Sequence, residues 1–321
     1  MEQPFWQKLS PGFFHHRMPV GDSEQGFEVF IWRGMRPGPT LLLNGGTHGD
    51  EYEGPTLLAE MASTWRPEEL SGTVIAIPVL NENAFFAGRR ESPIDGKNLA
   101  RVFPGQADGS PTEQLAYVFR DSFLRCADYY VDFHSAGAAY TIMPWVGYCL
   151  VEDAAILEKQ RLMARCFDRF WCWGTPYLPG RTLSSAYEHG VPAIYIECQG
   201  QGDVAPSDLS SLHHGLQRLL IALELLPGKV PIQPHRIIRE SNVQNEGHLQ
   251  LDHPAPCDGL LMSIIGVGTE LKEGQTIGVV QPLGPGEPQT VQAAHSGRAV
   301  FVRRQRSVRL GDALASIVPI P

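Results

Sequence analysis

A chain of 321 residues, 43% hydrophobic and 19% charged, can bury a substantial core and is too apolar to be disordered. A formal net charge of -9 argues against a surface built for nucleic-acid phosphates, which needs clustered basic groups. No apolar run approaches the ~20 residues that span a bilayer. The start, Met1-Glu-Gln-Pro-Phe-Trp6, lacks the basic-then-apolar order of a secretory signal, and the six cysteines include no C-x-x-C pair, so a cytoplasmic protein with reduced thiols is predicted.

In chain order, residues 13–34 alternate as strands do, from Phe13 to Arg17 and from Phe27 to Trp32, around the turn-rich segment Gly21 to Gly26. Short apolar runs bounded by glycine and proline follow at Thr40–Leu43, Val74–Val79, Tyr129–Phe133 and Ala193–Ile196 and suit buried strands. Helical patterns lie between them. One covers Gly54–Thr64. Another opens at Ser110-Pro-Thr-Glu113, where a serine cap, a proline at the first position and a glutamate three residues on make a strong start. Two more occupy Asp153–Phe170 and Asp208–Leu226. This alternation predicts an α/β domain: a mixed, largely parallel sheet flanked by helices.

The segment Pro227 to Pro234 marks a boundary, and the chain divides into a catalytic α/β domain over 1–240 and a small C-terminal all-β module over 241–321. The module carries a faint internal repeat. Ala255-Pro-Cys-Asp-Gly259 is echoed by Ala293-Ala-His-Ser-Gly297, and Leu271-Lys-Glu-Gly-Gln-Thr-Ile277 by Val308-Arg-Leu-Gly-Asp-Ala-Leu314. Its pattern resembles a lipoyl/biotinyl carrier sandwich. No lysine flanked by methionines sits at a hairpin tip, which argues against a carried cofactor and leaves a lid, spacer or oligomer contact. The arginines 298, 303, 304, 306 and 309 are expected to face solvent.

His48 is the most informative position. It lies in Gly45-Gly-Thr-His-Gly-Asp-Glu51 after an apolar run, with two residues between it and Glu51, and a further histidine arrives in Asp132-Phe-His134 at another strand end. Ligands in such sheets gather beyond the carboxyl ends of strands. Two imidazoles and one carboxylate form the ligand set of a hydrolytic zinc site, which keeps one coordination position for water and lowers that water's pKa to about 7. One Zn2+ per chain is expected, bound by His48, Glu51 and His134. Asp132, on the same side of its strand as His134, is a candidate acceptor for an imidazole N–H. The bland reading fits the other polar pairs. His213 and His214 flank a leucine stripe, His15 and His16 sit in the N-terminal hairpin, and His189 is placed outside the pocket. Trp145, Tyr148, Trp171 and Trp173 are read as packing residues.

Four motifs in order, Gly45 to Glu51, Asp95-Gly-Lys-Asn-Leu-Ala-Arg-Val-Phe-Pro-Gly105, Asp132 to His134 and Tyr195-Ile-Glu197, resemble the succinylglutamate desuccinylase/aspartoacylase family, itself similar to the zinc carboxypeptidases. The resemblance implies a zinc carboxypeptidase-like fold. It also implies an amidohydrolase that removes an acyl group, of acetyl or succinyl type, from an N-acylated amino acid or small amine. By motif, Glu197 is the catalytic carboxylate, Arg90 the arginine that polarises the scissile carbonyl (Arg89 being the adjacent alternative), and Arg101 the arginine that pairs with a substrate carboxylate.

One position departs from the pattern. The family usually has asparagine immediately before that arginine, and here Ala100 stands there; Asn98 is the candidate substitute as a substrate-binding amide. A buried polar partner left unpaired costs ~1–3 kcal/mol, enough to alter substrate preference. Other readings are a zinc carboxypeptidase acting on peptides, favoured by an open cleft, and an inactive metal- or ligand-binding relative. The expected partner is a small molecule, with neither nucleic acid nor membrane, and self-association into a homo-oligomer is open.

Overall fold

The computed structural model describes residues 4–21, 25–231, 237–242, 249 and 252–319. Residues 22–24 of the expected turn and 232–234 of the expected boundary lie outside them. The α/β part begins with β1 (Gly12–Pro19), β2 (Gly26–Arg33), β3 (Arg36–Asn44), α1 (Glu53–Thr64), β4 (Ser71–Ile77), α2 (Glu82–Ala87) and α3 (Pro111–Ser122). It continues with β5 (Tyr129–Ser135), β6 (Tyr140–Ile142), β7 (Trp145–Cys149), α4 (Ala154–Cys166), β8 (Trp171–Thr175), α5 (Thr182–Glu188), β9 (Ala193–Cys198), α6 (Pro206–Ala222) and β10 (Ile237–Glu240).

Nine strands form one sheet in the order β1-β2-β4-β3-β5-β9-β7-β8-β10. The centre, β4-β3-β5-β9, is parallel, as are β7, β8 and β10 among themselves. The N-terminal hairpin and the β7–β9 pair run antiparallel. Leu41, Leu42 and Leu43 show why the centre is parallel: all three are fully buried, so both faces of β3 must be covered. One face packs on α1, α4 and α6 through Leu57, Met163 and Leu216, and the other on α3 and α5 through Phe119 and Leu183. The α3 start follows the sequence signal, with the Ser110 backbone N–H donating to Glu113 Oε2 at 2.8 Å.

Two expected helices are shorter at their ends. The helix anticipated to Phe170 stops at Cys166, because Phe167 and Phe170 turn into the core and the chain enters β8 one residue later. That anticipated to Leu226 stops at Ala222, where Leu223 and Leu225 tuck inward around Glu224 at φ 61°. Strands β7 and β8 were not anticipated. The tryptophans read as packing residues lie on them, and Trp145 and Trp173 stack edge to face at 5.5 Å.

After β10 come β11 (Gly259–Ile264), β12 (Glu270–Leu271), β13 (Thr276–Pro282), β14 (Gln289–Gln292), β15 (Gly297–Arg303), β16 (Ser307–Val308) and β17 (Ala315–Val318). They form two small sheets, β14-β13-β11-β16 and β12-β15-β17, as expected for an all-β module. The second sheet gains a strand from the α/β part: β6 pairs antiparallel with β15, setting Ile142 opposite Phe301 and Tyr140 opposite Arg303.

That junction corrects one expectation. Arg303 does not face solvent; it is 6% exposed. Its Nη1 donates to Tyr140 Oη at 2.8 Å and its Nη2 to Ser307 O at 2.9 Å, and it pairs with Asp312 at 3.0 Å. Strand alternation turned this member of the arginine group inward, while Arg304, Arg306 and Arg309 are exposed. Arg303→Met keeps the stem and removes the charge-assisted bonds, so unfolding in urea should show a loss of about 1–3 kcal/mol. A stability equal to that of the parent chain would remove this contact from the docking of the β module.

Candidate active site

The chain leaves β3 at Asn44 and turns sharply. Gly49 is required there, since a Cβ at this position would lie 1.9 Å from the Ala84 carbonyl carbon. Its N–H donates to Arg89 O at 2.9 Å, fastening the loop to the segment after α2. The next residue, Arg90, consequently reaches in and its Nη1 donates to Glu51 Oε1 at 3.1 Å. Arg89 points outward and is exposed. Of the two arginines, Arg90 is the one that faces the cluster and the cavity.

His48 and Glu51 are 3% and 2% exposed, and His134, at the end of β5, has a side chain 10% exposed. His48 Nδ1 lies 2.8 Å from Glu51 Oε1, and His134 Nδ1 lies 2.8 Å from Glu51 Oε2. One ligand atom from each of the three residues falls within 4.8 Å of the others. The far nitrogens are engaged as well. His134 Nε2 meets Asp132 Oδ2 at 2.9 Å and His48 Nε2 meets Asn98 Oδ1 at 3.1 Å. Acceptors facing the two Nε2 atoms hold protons there and turn both Nδ1 atoms toward Glu51, which is how metal-ligating imidazoles are held. The donor set and its supports fit a divalent zinc-like cation.

The charges agree. Burial and the Arg90 charge push the His48 imidazole down to about 4. Burial opposes charge on His134, but Asp132 and Glu51 outweigh it and hold its pKa well above the ordinary histidine value. Burial also works against ionisation of Glu51, and the two imidazoles reverse that and keep it a carboxylate. A cation entering between the three would displace the His134 proton that faces Glu51.

Asp132 is fully buried and takes the supporting place anticipated for it, accepting also from Thr47 Oγ1 at 3.2 Å and Thr182 Oγ1 at 2.6 Å. Asn98, the expected substrate-binding amide, has its oxygen engaged within the site. Its Oδ1 accepts from the Ala100 N–H at 2.9 Å and sits on His48 Nε2, because the short helical turn at Leu99–Arg101 points the amide back at the imidazole. Ala100 lines the cavity with a methyl group.

Strand register sets Glu197. In the parallel pair β5–β9 it lies directly opposite His134, so the two side chains share a face. Both open on a cavity of about 280 Å³ that also receives Arg90, Arg101 and Arg181. Burial lifts the Glu197 carboxyl above the usual carboxylate range, with His134 opposing and Glu51 adding to the rise. Trp145 and Tyr195 line the cavity, and Leu249 and Phe301 line it from the C-terminal part. Trp145 is therefore cavity wall as well as core. His189 is not among the lining residues and bonds Ser185 O at 2.9 Å, as anticipated.

Sequence reasoning missed Arg181, Thr182 and Phe301. A single arginine between Gly180 and Thr182 carries no spacing signal, and Phe301 reads as an ordinary strand residue. Among the described residues no helix is long and apolar enough to cross a membrane.

Known proteins resemble this chain in sequence and fold. The sequence profile of the succinylglutamate desuccinylase/aspartoacylase catalytic domain matches residues 37–223. An N-alpha-acetyl-L-2,4-diaminobutyric acid deacetylase of Halomonas elongata is 32% identical over 293 residues, covering 88% of this chain and 83% of that protein. A succinylglutamate desuccinylase from a Silicibacter species superposes with a TM-score of 0.88 at 28% identity, over 99% of this chain and 98% of the other. The product-bound ectoine utilization protein EutE (DoeB) of Ruegeria pomeroyi gives 0.84 at 28% identity, over 98% of each chain.

The supports of the imidazoles generate a direct expectation. Asn98→Ala and Asp132→Asn should each weaken zinc binding about 10- to 100-fold in a competition titration against a chelator. Parent-like affinity in both would mean that the Nε2 contacts do not orient the ligands.

Proposed function

Because this chain belongs to the succinylglutamate desuccinylase/aspartoacylase family, we propose that it is a zinc-dependent deacylase that hydrolyses the amide bond of an N-acylated α-amino acid, with an acetyl- or succinyl-type acyl group. One observation carries the reading: two imidazole Nδ1 atoms converge on Glu51 in the same cavity that holds the half-buried carboxyl of Glu197. The Halomonas relative is named for an acetylated amino acid, which supports the same substrate class here.

His48, Glu51 and His134 would hold the zinc. When bound, the ion supplies Lewis acidity toward the acyl carbonyl and makes water acidic enough to lose a proton near neutral pH. The remaining work belongs to the chain. Glu197 accepts a proton from the attacking water and passes it to the amine nitrogen as the C–N bond breaks; a carboxyl whose proton affinity is raised by burial suits both halves of that transfer. Arg90, held against Glu51, presents its remaining N–H groups to the carbonyl oxygen as negative charge builds there. Arg101 binds a carboxylate of the substrate. Asn98 holds His48 and is a positioning residue.

On this proposal residues 1–240 carry the chemistry and 241–321 shape the cavity. Phe301, seated on Tyr140 at 4.3 Å between ring centroids, and Leu249 close one side. A cavity of about 280 Å³, partly open and narrowed by these two side chains, suits a small N-acyl amino acid better than a peptide chain. Six free thiols, four of them buried, suit a reducing cytoplasm.

Glu197→Gln tests the mechanism. It should keep bound zinc and lose about 10²- to 10⁴-fold in kcat on the best substrate from a panel of N-acetyl and N-succinyl amino acids. Unchanged turnover would take Glu197 out of the reaction, and loss of zinc would make it a ligand instead.

A further inference from the structure

Behind the metal site runs a line of polar side chains that do not reach the cavity. Tyr130, Asn44, Thr47 and Asp132 are all fully buried, and none of them lines it. Tyr130, Asp132 and His134 alternate along β5 and so share one face of the strand. Asn44 pairs with Asp132 across the β3–β5 ladder, which sets its amide on that face too. The surroundings of Tyr130 are apolar: it belongs to a core cluster with Leu42, Leu115 and Phe119, its ring 6.0 Å from that of Phe119. Hydrophobic residues of similar volume often fill such places with no loss of stability. A hydroxyl and an amide placed here therefore call for a reason other than packing.

The hydrogen bonds among these groups can run in one direction only. A carboxylate accepts and never donates, so the Thr47 hydroxyl donates to Asp132 Oδ1, at 3.2 Å. With its proton committed, Thr47 Oγ1 accepts from Asn44 Nδ2 at 3.0 Å. That fixes the amide, whose Oδ1 accepts from Tyr130 Oη at 2.5 Å. Every donor in the line points toward Asp132, and bonds aligned head to tail polarise one another. The other carboxylate oxygen, Oδ2, accepts from Thr182 Oγ1 at 2.6 Å and faces His134 Nε2 at 2.9 Å. With Oδ1 held by Thr47, Asp132 cannot turn away from the imidazole without breaking the line.

We propose that Tyr130, Asn44 and Thr47 form a one-way hydrogen-bond relay that fixes Asp132, and through it presents His134 Nδ1 to the metal. All three are positioning residues, reaching the ion through two intermediaries. The inference deepens the deacylase reading and rests on it only for the identity of the ion.

The test measures zinc affinity of the full chain by competition with a chelator, in the parent, Thr47→Val, Thr47→Ser, Tyr130→Phe and the double variant Tyr130→Phe/Thr47→Val. Thr47→Val keeps the shape and cuts the relay, and should weaken zinc binding about 10- to 100-fold. Thr47→Ser keeps the hydroxyl and should bind as the parent does. Tyr130→Phe removes one oxygen from the far end and should show a smaller loss, still above roughly 3-fold. The double variant should bind zinc no more weakly than Thr47→Val, because the relay is already cut. Parent-like affinity in Tyr130→Phe, equal losses in Thr47→Ser and Thr47→Val, or additive losses in the double variant would each overturn the relay. So would lower stability in urea with unchanged zinc affinity, the signature of a purely structural network. Because the readout is binding, a protein that follows this pattern yet hydrolyses no N-acyl amino acid would keep the relay and sink the deacylase reading alone.

Discussion

One buried carboxylate divides its two oxygens between two imidazoles, and the rest of the molecule is arranged around that fact. Glu51 faces His48 with one oxygen and His134 with the other, each at 2.8 Å. Ionisable groups this deep are expensive unless paired, because desolvation of a charge costs several kcal/mol. The fold meets that cost with partners rather than with solvent. Asp132, Asn98 and Arg90 each bond a member of the trio, and Thr47 and Thr182 in turn bond Asp132. Such a network has little reason to exist in a protein that only needs a core. It makes sense as a preorganised seat for a cation, since each ligand is already deprotonated or oriented by something other than the ion.

The seat lies where sheet geometry can assemble it. β3, β5 and β9 are adjacent and parallel, so their carboxyl ends emerge side by side and bring together residues far apart in sequence. Register then decides which residues meet. Because His134 pairs with Glu197, a slip of one residue would turn the carboxyl to the opposite face of the sheet. The β module acts on the same cavity from outside. By pairing β15 with β6 it brings Phe301 to the rim, and the buried Arg303 locks that pairing to Tyr140 and Asp312.

Much of this was legible in the sequence, for identifiable reasons. The central strands are short, fully buried apolar runs, and the α3 start carries its capping signal, so pattern and structure coincide there. His48, Glu51 and His134 follow strand ends, and placing a ligand past a strand end requires no three-dimensional knowledge. The contact of Asn98 with His48 was not legible because its direction depends on a local helical turn that the letters do not reveal. Arg181 escaped notice because its place on the cavity wall arises from Gly180 lying across Arg101, a contact between segments distant in sequence. Arg303 looked like one of a solvated group, and only the addition of β6 to the module's sheet buries it. What stayed hidden was tertiary, not compositional.

The account stands or falls on a single ion held jointly by the β3 loop and the end of β5. X-ray absorption at the zinc edge, on protein loaded with one equivalent of metal, reads the ligands directly. Two imidazole nitrogens with oxygen donors at about 2.0–2.1 Å and no sulfur are predicted. A sulfur shell near 2.3 Å, or a spectrum with fewer than two imidazoles, would contradict it.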